Sequence, residues 1–196
     1  MLRILIAGVL GGIAMFIWSA LAHTVLPVGK IGLADLEDEA PVMQALRAGT
    51  GDRRGIYVFP DAGFGAETMA EEEAAMAAHM AALKDNPSGM VIYHPPGRSA
   101  DMARPMAVET GLEIVESIIL AYILAHLTFT GLVPRTAAAA AIGFAVSIAT
   151  HGSYWNWWAF PGDYTLAQIA IQLVGWTLAG FVIALALGFR RRAAGS

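Results

Sequence analysis

Three glutamates stand at a spacing that would place them on one stripe of a helix. Glu109, Glu113 and Glu116 occupy positions i, i+4 and i+7, and residues at that spacing share a helix face. They lead into an apolar stretch, because residues 117–134 contain no Asp, Glu, Lys or Arg. A carboxylate at that depth in a membrane is costly unless it faces protein, water or a cation. This acidic stripe is therefore the first candidate for chemistry.

Histidine and glutamine residues stand at the ends of the other apolar segments. His23 ends the first segment, His151 ends the third, and Gln168 and Gln172 begin the fourth. Four spans that alternate in direction would bring these ends to the level of the glutamates. Carboxylate and imidazole groups suit Zn²⁺, Mn²⁺ or Fe²⁺, and they can also relay protons. We therefore predict a divalent metal or proton site whose candidate ligands are His23, Glu113, Glu116 and His151. The alternative is a set of polar residues at a helix boundary, wetted by lipid headgroups.

A second group of polar residues consists of weaker candidates. Tyr154, Gln168 and Gln172 lie at the same predicted level as the metal ligands, and His94 precedes the rigid segment Pro95-Pro96-Gly97. The Tyr and Trp residues between positions 154 and 158 are typical of the aromatic belt at a membrane interface. That interpretation is favoured over a ligand platform.

His126 and His151 together suggest a haem with one axial histidine from each of two helices. A helix rises about 1.5 Å per residue, which places His126 about 22 Å below one face and His151 about 22 Å above the other. In a hydrocarbon core about 30 Å thick, the two side chains are then more than about 10 Å apart in depth. A shared haem is therefore disfavoured, and His126 is predicted to be a buried side chain bonded to a neighbouring helix.

The composition is that of an integral membrane protein. Hydrophobic residues make up 57% of the 196 residues and charged residues 14%, with a net charge of −4 and no cysteine. The missing cysteines exclude disulfides, iron–sulfur clusters and thiol nucleophiles. Nucleic-acid binding is not predicted, because it needs a basic face. The sequence contains no GxSxG, P-loop or HExxH motif, so no catalytic residue is assigned and a non-enzymatic role is favoured.

Apolar segments and polar insertions predict an α-helical protein with a four-helix transmembrane bundle and a small α/β domain. Residues 1–26 form the first span, which is favoured over a cleaved signal peptide ending near Ala20-Leu21-Ala22. Gly8 and Gly12 form a GxxxG packing face, and Ala139, Gly143 and Ser147 form a second face of small residues. The remaining predicted segments are the inserted domain 27–108, spans 109–134, 136–160 and 164–189, and the basic tail 190–196.

The inserted domain contains two β-rich runs separated by a helix. Residues 55–59 and 90–93 predict strands, and residues 68–71 have the form of a capping box that begins a helix. The order strand, helix, strand predicts a right-handed βαβ unit with parallel strands. Because two strands alone are only marginally stable, we expect the strands to pack against the other helix of this domain, the membrane domain or a partner.

Lysine and arginine residues near the spans predict the orientation. Arg3, Arg135 and the three arginines 190–192 fall on one side of a four-span protein, and that side is expected to be cytoplasmic. We therefore predict a multi-pass protein of a bacterial-type inner membrane, with both termini cytoplasmic and the inserted domain outside. The predicted function is that of an accessory protein that binds a membrane-protein partner or a second copy. The alternative is the metal or proton site at the outer boundary, serving an enzyme or carrier.

Overall fold

The computed structural model describes residues 1–188 and divides into two compact units. Unit 1 joins Met1–Leu33 to the chain from Asp101 onward, and unit 2 comprises Ala34–Ala100. The predicted basic tail 190–196, with its three arginines, lies outside the described residues.

Unit 1 is built from helices. Three of its helical segments within residues 1–188 are long and apolar enough to cross a membrane. The protein is therefore mostly helical and suited to a multi-pass arrangement. The helices are α1 (Leu2–Thr24), α4 (Ala103–His126), α5 (Leu132–Ser147), α6 (Ser153–Trp158) and α7 (Gly162–Leu187). The three candidate spans are Leu2–Thr24, Leu132–Trp158 and Gly162–Leu187.

Helix α1 packs against both α4 and α7, and glycines allow the close approach to α4. A Cβ atom on Gly8 would lie 2.5 Å from Ile118 Cα, and one on Gly12 would lie 2.5 Å from Ile114 Cα. The predicted GxxxG packing face is therefore confirmed. Gly8 lies against Ile118, and Gly12, one turn later in α1, lies against Ile114, one turn earlier in α4. The two helices therefore run in opposite directions.

Helices α5 and α7 pack through the second predicted face of small residues. Ala139, Gly143 and Ser147 are all buried. A Cβ atom on Gly143 would collide with the Trp176 side chain, and Ser147 Oγ donates to Gln172 Oε1 at 3.1 Å. The predicted face is confirmed, and α5 and α7 are antiparallel.

Two arginines meet the carboxyl end of α7. Arg3 Nε donates to the Ala186 carbonyl oxygen at 3.1 Å, and Arg135 Nη1 donates to the Gly188 carbonyl oxygen at 3.0 Å. Cations are stabilising there, because a helix leaves its last carbonyls unpaired and carries partial negative charge at that end. Arg3 and Arg135 therefore lie at one end of unit 1.

The stretch 109–134 is not one helix, which corrects the predicted second span. Helix α4 begins earlier, at Ala103, and ends at His126. Leu127 is extended, and α5 already begins at Leu132 with Pro134 in its first turn. Proline lacks an amide donor and is tolerated only in that turn, so Pro134 belongs to the next helix. A π-helical turn at Ile148–Gly152 connects α5 to α6.

Unit 2 contains α2 (Glu39–Thr50), β1 (Gly55–Phe59), α3 (Met69–Ala82) and β2 (Gly89–Tyr93). The two strands are antiparallel, with Gly55 opposite Tyr93 and Phe59 opposite Gly89. The prediction of a parallel βαβ unit is therefore wrong, although the strands and the helix lie where they were expected.

The length of the segment before α3 explains the antiparallel pairing. The 14 residues of α3 span about 21 Å, and residues 61–68 can extend over about 26 Å. That segment therefore runs out along the helix, and α3 brings the chain back. His79 Nδ1, near the end of α3, lies 3.1 Å from the Pro60 carbonyl oxygen. Strand β2 thus begins at the end of the sheet where β1 stops.

The capping box at the start of α3 makes this helix sensitive to acid. Hydrogen bonds from the backbone amides of Glu67 and Thr68 lower the pKa of Glu71. Since the pKa is lower in the folded state, the stabilisation is present above the usual pKa of glutamate and is lost as the pH falls through the lowered value. Amide exchange of α3, corrected for intrinsic pH dependence, should therefore accelerate in acid. Glu71→Gln should remove this acid response, whereas Glu72→Gln, a charge change outside the box, should retain it. An equal response in both variants would contradict the assignment.

Candidate functional site

A polar cavity of about 360 Å³ opens at the end of unit 1 opposite Arg3 and Arg135. Its walls come from α1, α4, α7 and the turn that follows α5. Most of the polar groups predicted from the sequence for this level meet here. The polar side chains that line it are Ser19, His23, Glu109, Glu113, Glu116, Thr150, Gln168 and Gln172.

Glu113 is the buried carboxylate of the cavity, with only 6% of its surface exposed. It shares a stripe of α4 with Ser117, Leu120 and Leu124, which are all buried. Ser19 of α1 lines the same cavity. Among the described residues, the Oε2 atom of Glu113 is buried without any partner. Glu113 therefore lines the cavity and also carries a buried acidic oxygen that has no partner among the described residues.

Glu116 differs from Glu113 in burial, although both are predicted metal ligands. It lies deeper along α4 than Glu113, yet its side chain is exposed, as is that of Glu109. The reason is direction, because three residues along a helix turn a side chain by about 300°. Glu113 points along the α1 contact, whereas Glu116 lies to one side of it. All three carboxylates nevertheless line the same cavity.

Helix α1 contributes an imidazole, a hydroxyl and an indole. His23 is exposed in the last turn, with Nδ1 2.9 Å from the Ser19 carbonyl oxygen. Trp18 Nε1 donates to the Ile171 carbonyl oxygen of α7 at 2.8 Å. This bond holds the indole in place between the two helices, next to Gly175.

Helix α7 contributes two amides and a second indole. Gln168 and Gln172 are half-buried one turn apart, and Trp176 follows one turn later on the same stripe. The Gln172 side chain is positioned by the hydrogen bond that it accepts from Ser147. The amides therefore belong to a wall held by the contact between α5 and α7.

Other predicted site residues lie apart from the cavity lining. His151 is in the π-helical turn, half-buried, with Nε2 unpaired among residues 1–188. Tyr154 is exposed on α6 and stacks on Phe160 at 5.4 Å between ring centroids. His94 follows β2 in unit 2. The expectation that His126 is buried and bonded to a neighbouring helix is wrong, because it is exposed and lies 2.7 Å from the Tyr122 carbonyl oxygen of its own helix.

Two electrostatic properties of the cavity limit its chemistry. No group of three or more His, Asp or Glu side chains within residues 1–188 is placed to hold a metal ion. The metal site predicted at His23, Glu113, Glu116 and His151 therefore stays a prediction. These four side chains do not form a cluster of metal ligands in the described residues. No Lys or Arg of the described residues lines the cavity, and His23 is the imidazole that lines it beside the three carboxylates.

Sequence reasoning missed Trp18, Ser19 and Trp176. For Ser19 and Trp176, the signal was present in the helical periodicity. Ser19 stands four residues before His23, and Trp176 stands four residues after Gln172, so each continues a stripe already chosen. Extending each polar stripe by one turn would have included Ser19 and Trp176, whereas Trp18 lies off the His23 stripe and had no such signal.

Comparisons with protein-family models, curated proteins and solved structures give no match for this chain.

Proposed function

We propose that this chain is a protein of a bacterial-type inner membrane with four spans, made by α1, α4, the segment from α5 to α6, and α7. The antiparallel packing of α4 on α1 supports counting α4 as a span, despite its three glutamates. The first span is retained, both termini are cytoplasmic, and unit 2 lies outside. The grouping of Arg3 and Arg135 at one end of unit 1 supports this orientation.

Reporter fusions test this topology. A reporter that is active only in the cytoplasm should be active when it is fused after Ser196, because arginine-rich ends remain cytoplasmic. A reporter that is active only outside should be active when it is inserted at Gly51. An external C-terminus would overturn the orientation, and reporters at Gly51 and Ser196 on the same side would overturn the three spans counted between them.

The function we propose is proton-coupled binding of a cation in the cavity of unit 1, in the service of an enzyme or carrier. The observation that carries it is Glu113, which is 6% exposed, lines the cavity and leaves Oε2 unpaired among the described residues. A buried ionised carboxylate without a partner is costly. A proton or a cation from the cavity removes that cost, and the two compete for one carboxylate.

Neighbouring groups favour this exchange. Glu109 and Glu116 on α4 add negative charge to the cavity, and His23 on α1 is the only other titratable side chain that lines it among residues 1–188. The wall from α7 presents the neutral amides Gln168 and Gln172. A cation that enters therefore meets three carboxylates and no Lys or Arg among the described residues that line the cavity.

Dicyclohexylcarbodiimide tests the proposal, because it adds to protonated carboxyl groups in apolar surroundings and forms a stable N-acylurea. We expect peptide mass spectrometry of the purified protein to find the adduct on Glu113. Labelling should decrease as the pH rises, because the reactive form is the protonated one. Glu113→Gln should abolish the adduct.

Asp163→Asn is the matched control, since Asp163 is exposed in the first turn of α7 and does not line the cavity. It should leave labelling of Glu113 unchanged. If Glu113 of the folded parent protein stays unlabelled across the pH range, the proposal is contradicted.

An accessory role through unit 2 is the second candidate. It is favoured by the exposed methionines of α3, since Met69, Met76 and Met80 are 86%, 46% and 59% exposed. Such a surface suits a partner protein or a second copy of the chain. A sample purified in mild detergent that carries a stoichiometric protein partner and shows no labelling of Glu113 would favour this role over the cavity.

A further inference from the structure

We propose that the cation taken up by the cavity is organic, an alkylammonium group carried on an apolar body. This inference rests on the proposed function and names the ligand class of the same site. Two features of one cavity support it. Its carboxylates have no Lys or Arg beside them within residues 1–188, and the indoles of Trp18 and Trp176 line it from two helices.

The placement of the carboxylates argues against a hard divalent ion. Glu109 and Glu113 are four residues apart on one helix, about 6 Å along its axis. Hard divalent ions need six or more oxygen ligands gathered at about 2.0–2.6 Å. No three acidic or imidazole groups within residues 1–188 come together in that way. A diffuse organic cation needs no such shell, because it is held by charge at longer range.

The indoles supply what an ammonium group requires beside a carboxylate. Tryptophan is the aromatic side chain that binds organic cations best, through its ring quadrupole. Trp18 is held by its bond to the Ile171 carbonyl oxygen, and Trp176 by packing on Gly143. Fixed rings lose little entropy when a ligand binds. The cavity volume of about 360 Å³ falls within the range of small-molecule sites.

An apolar groove accounts for the body of the ligand. It lies between the end of α1 and the start of α4 and shares Ser19, His23 and Glu109 with the cavity. Its other walls are mainly apolar. They comprise Phe16, Ala20, Thr24, Met102, Pro105 and Met106. A charged head in the cavity and an apolar tail in the groove would both be accommodated.

Benzyltrimethylammonium is the probe, and neopentylbenzene is its neutral isostere. In calorimetry on the purified protein in detergent, we expect the ammonium compound to bind and to protect Glu113 from carbodiimide. Glu113→Gln should weaken binding at least about tenfold. Trp18→Leu should weaken it on the order of tenfold, and Trp18→Phe by less. Asp163→Asn should leave it unchanged.

The outcomes separate the two proposals. If Glu113 is not labelled at all, the proposed function itself fails. If Glu113 is labelled but benzyltrimethylammonium neither binds nor protects, the organic cation is overturned while the proton-exchanging site remains. Equal protection by neopentylbenzene, or protection by Zn²⁺ or Mg²⁺ instead, would also overturn it. An intact circular dichroism spectrum and retained labelling show that the Trp18 variants are folded.

The ammonium group could come from a soluble amine or from a lipid headgroup, and nanodiscs distinguish these sources. Protection of Glu113 in phosphatidylethanolamine but not in phosphatidylglycerol, without added ligand, identifies the headgroup. Protection only after benzyltrimethylammonium is added identifies a soluble amine. Absence of protection in every arm contradicts the proposal.

Discussion

Gly12→Leu is expected to separate α1 from α4 and to lower the melting temperature of the protein in detergent. A Cβ atom on Gly12 would lie 2.5 Å from Ile114 Cα and 2.9 Å from the Glu113 carbonyl oxygen. Both are backbone atoms, which cannot rotate aside, so the helices must move apart. Overpacking typically costs about 1–3 kcal/mol, and we expect the upper end because a whole helix is displaced.

A cysteine reporter localises this effect. The chain has no cysteine, and Ser117 is 1% exposed on the α4 face toward α1. With Ser117→Cys as background, maleimide should react slowly in the parent and faster after Gly12→Leu. The matched control is Gly111→Leu, since Gly111 lies in α4 with open space around it. There the change should be neutral or slightly stabilising, because glycine is a poor helix former. Equal reactivity in all three proteins would contradict the packing.

Arg135→Met is expected to destabilise unit 1 by about 2–3 kcal/mol, since it removes a charged hydrogen bond and a cation at a helix carboxyl end. Arg135 is 4% exposed and donates to the Gly188 carbonyl oxygen, the last residue described after α7. Methionine keeps much of the length and apolar volume of the side chain. The loss should therefore reflect the guanidinium group, and thermal unfolding in detergent measures it.

Arg3→Met is the matched comparison. Arg3 donates to the same end of α7, but it is exposed. Its removal should cost clearly less, because a solvated hydrogen bond contributes less than a buried one. If both variants have the melting temperature of the parent protein, the arginines do not stabilise this helix end.

Periodicity alone determined much of unit 1. Small residues repeated every four positions predicted the faces at Gly8 and Gly12 and at Ala139, Gly143 and Ser147, and both became contacts. Such patterns are readable because a helix converts spacing into direction without help from the rest of the chain. The alternating direction of four predicted spans placed Glu113, Gln168 and Gln172 at one level.

Only the tertiary structure decided which of these groups is buried. The sequence predicted Glu113 and Glu116 together as candidate ligands, but the contact with α1 buries only Glu113, because burial depends on which side of a helix meets a neighbour. The antiparallel pairing of β1 and β2 also escaped the pattern, since strand direction follows from the path of the connecting segment 60–88. Local periodicity specifies faces and levels. Which helices pack together, and with it the burial of the Glu113 side chain, depends on contacts between segments distant in the chain.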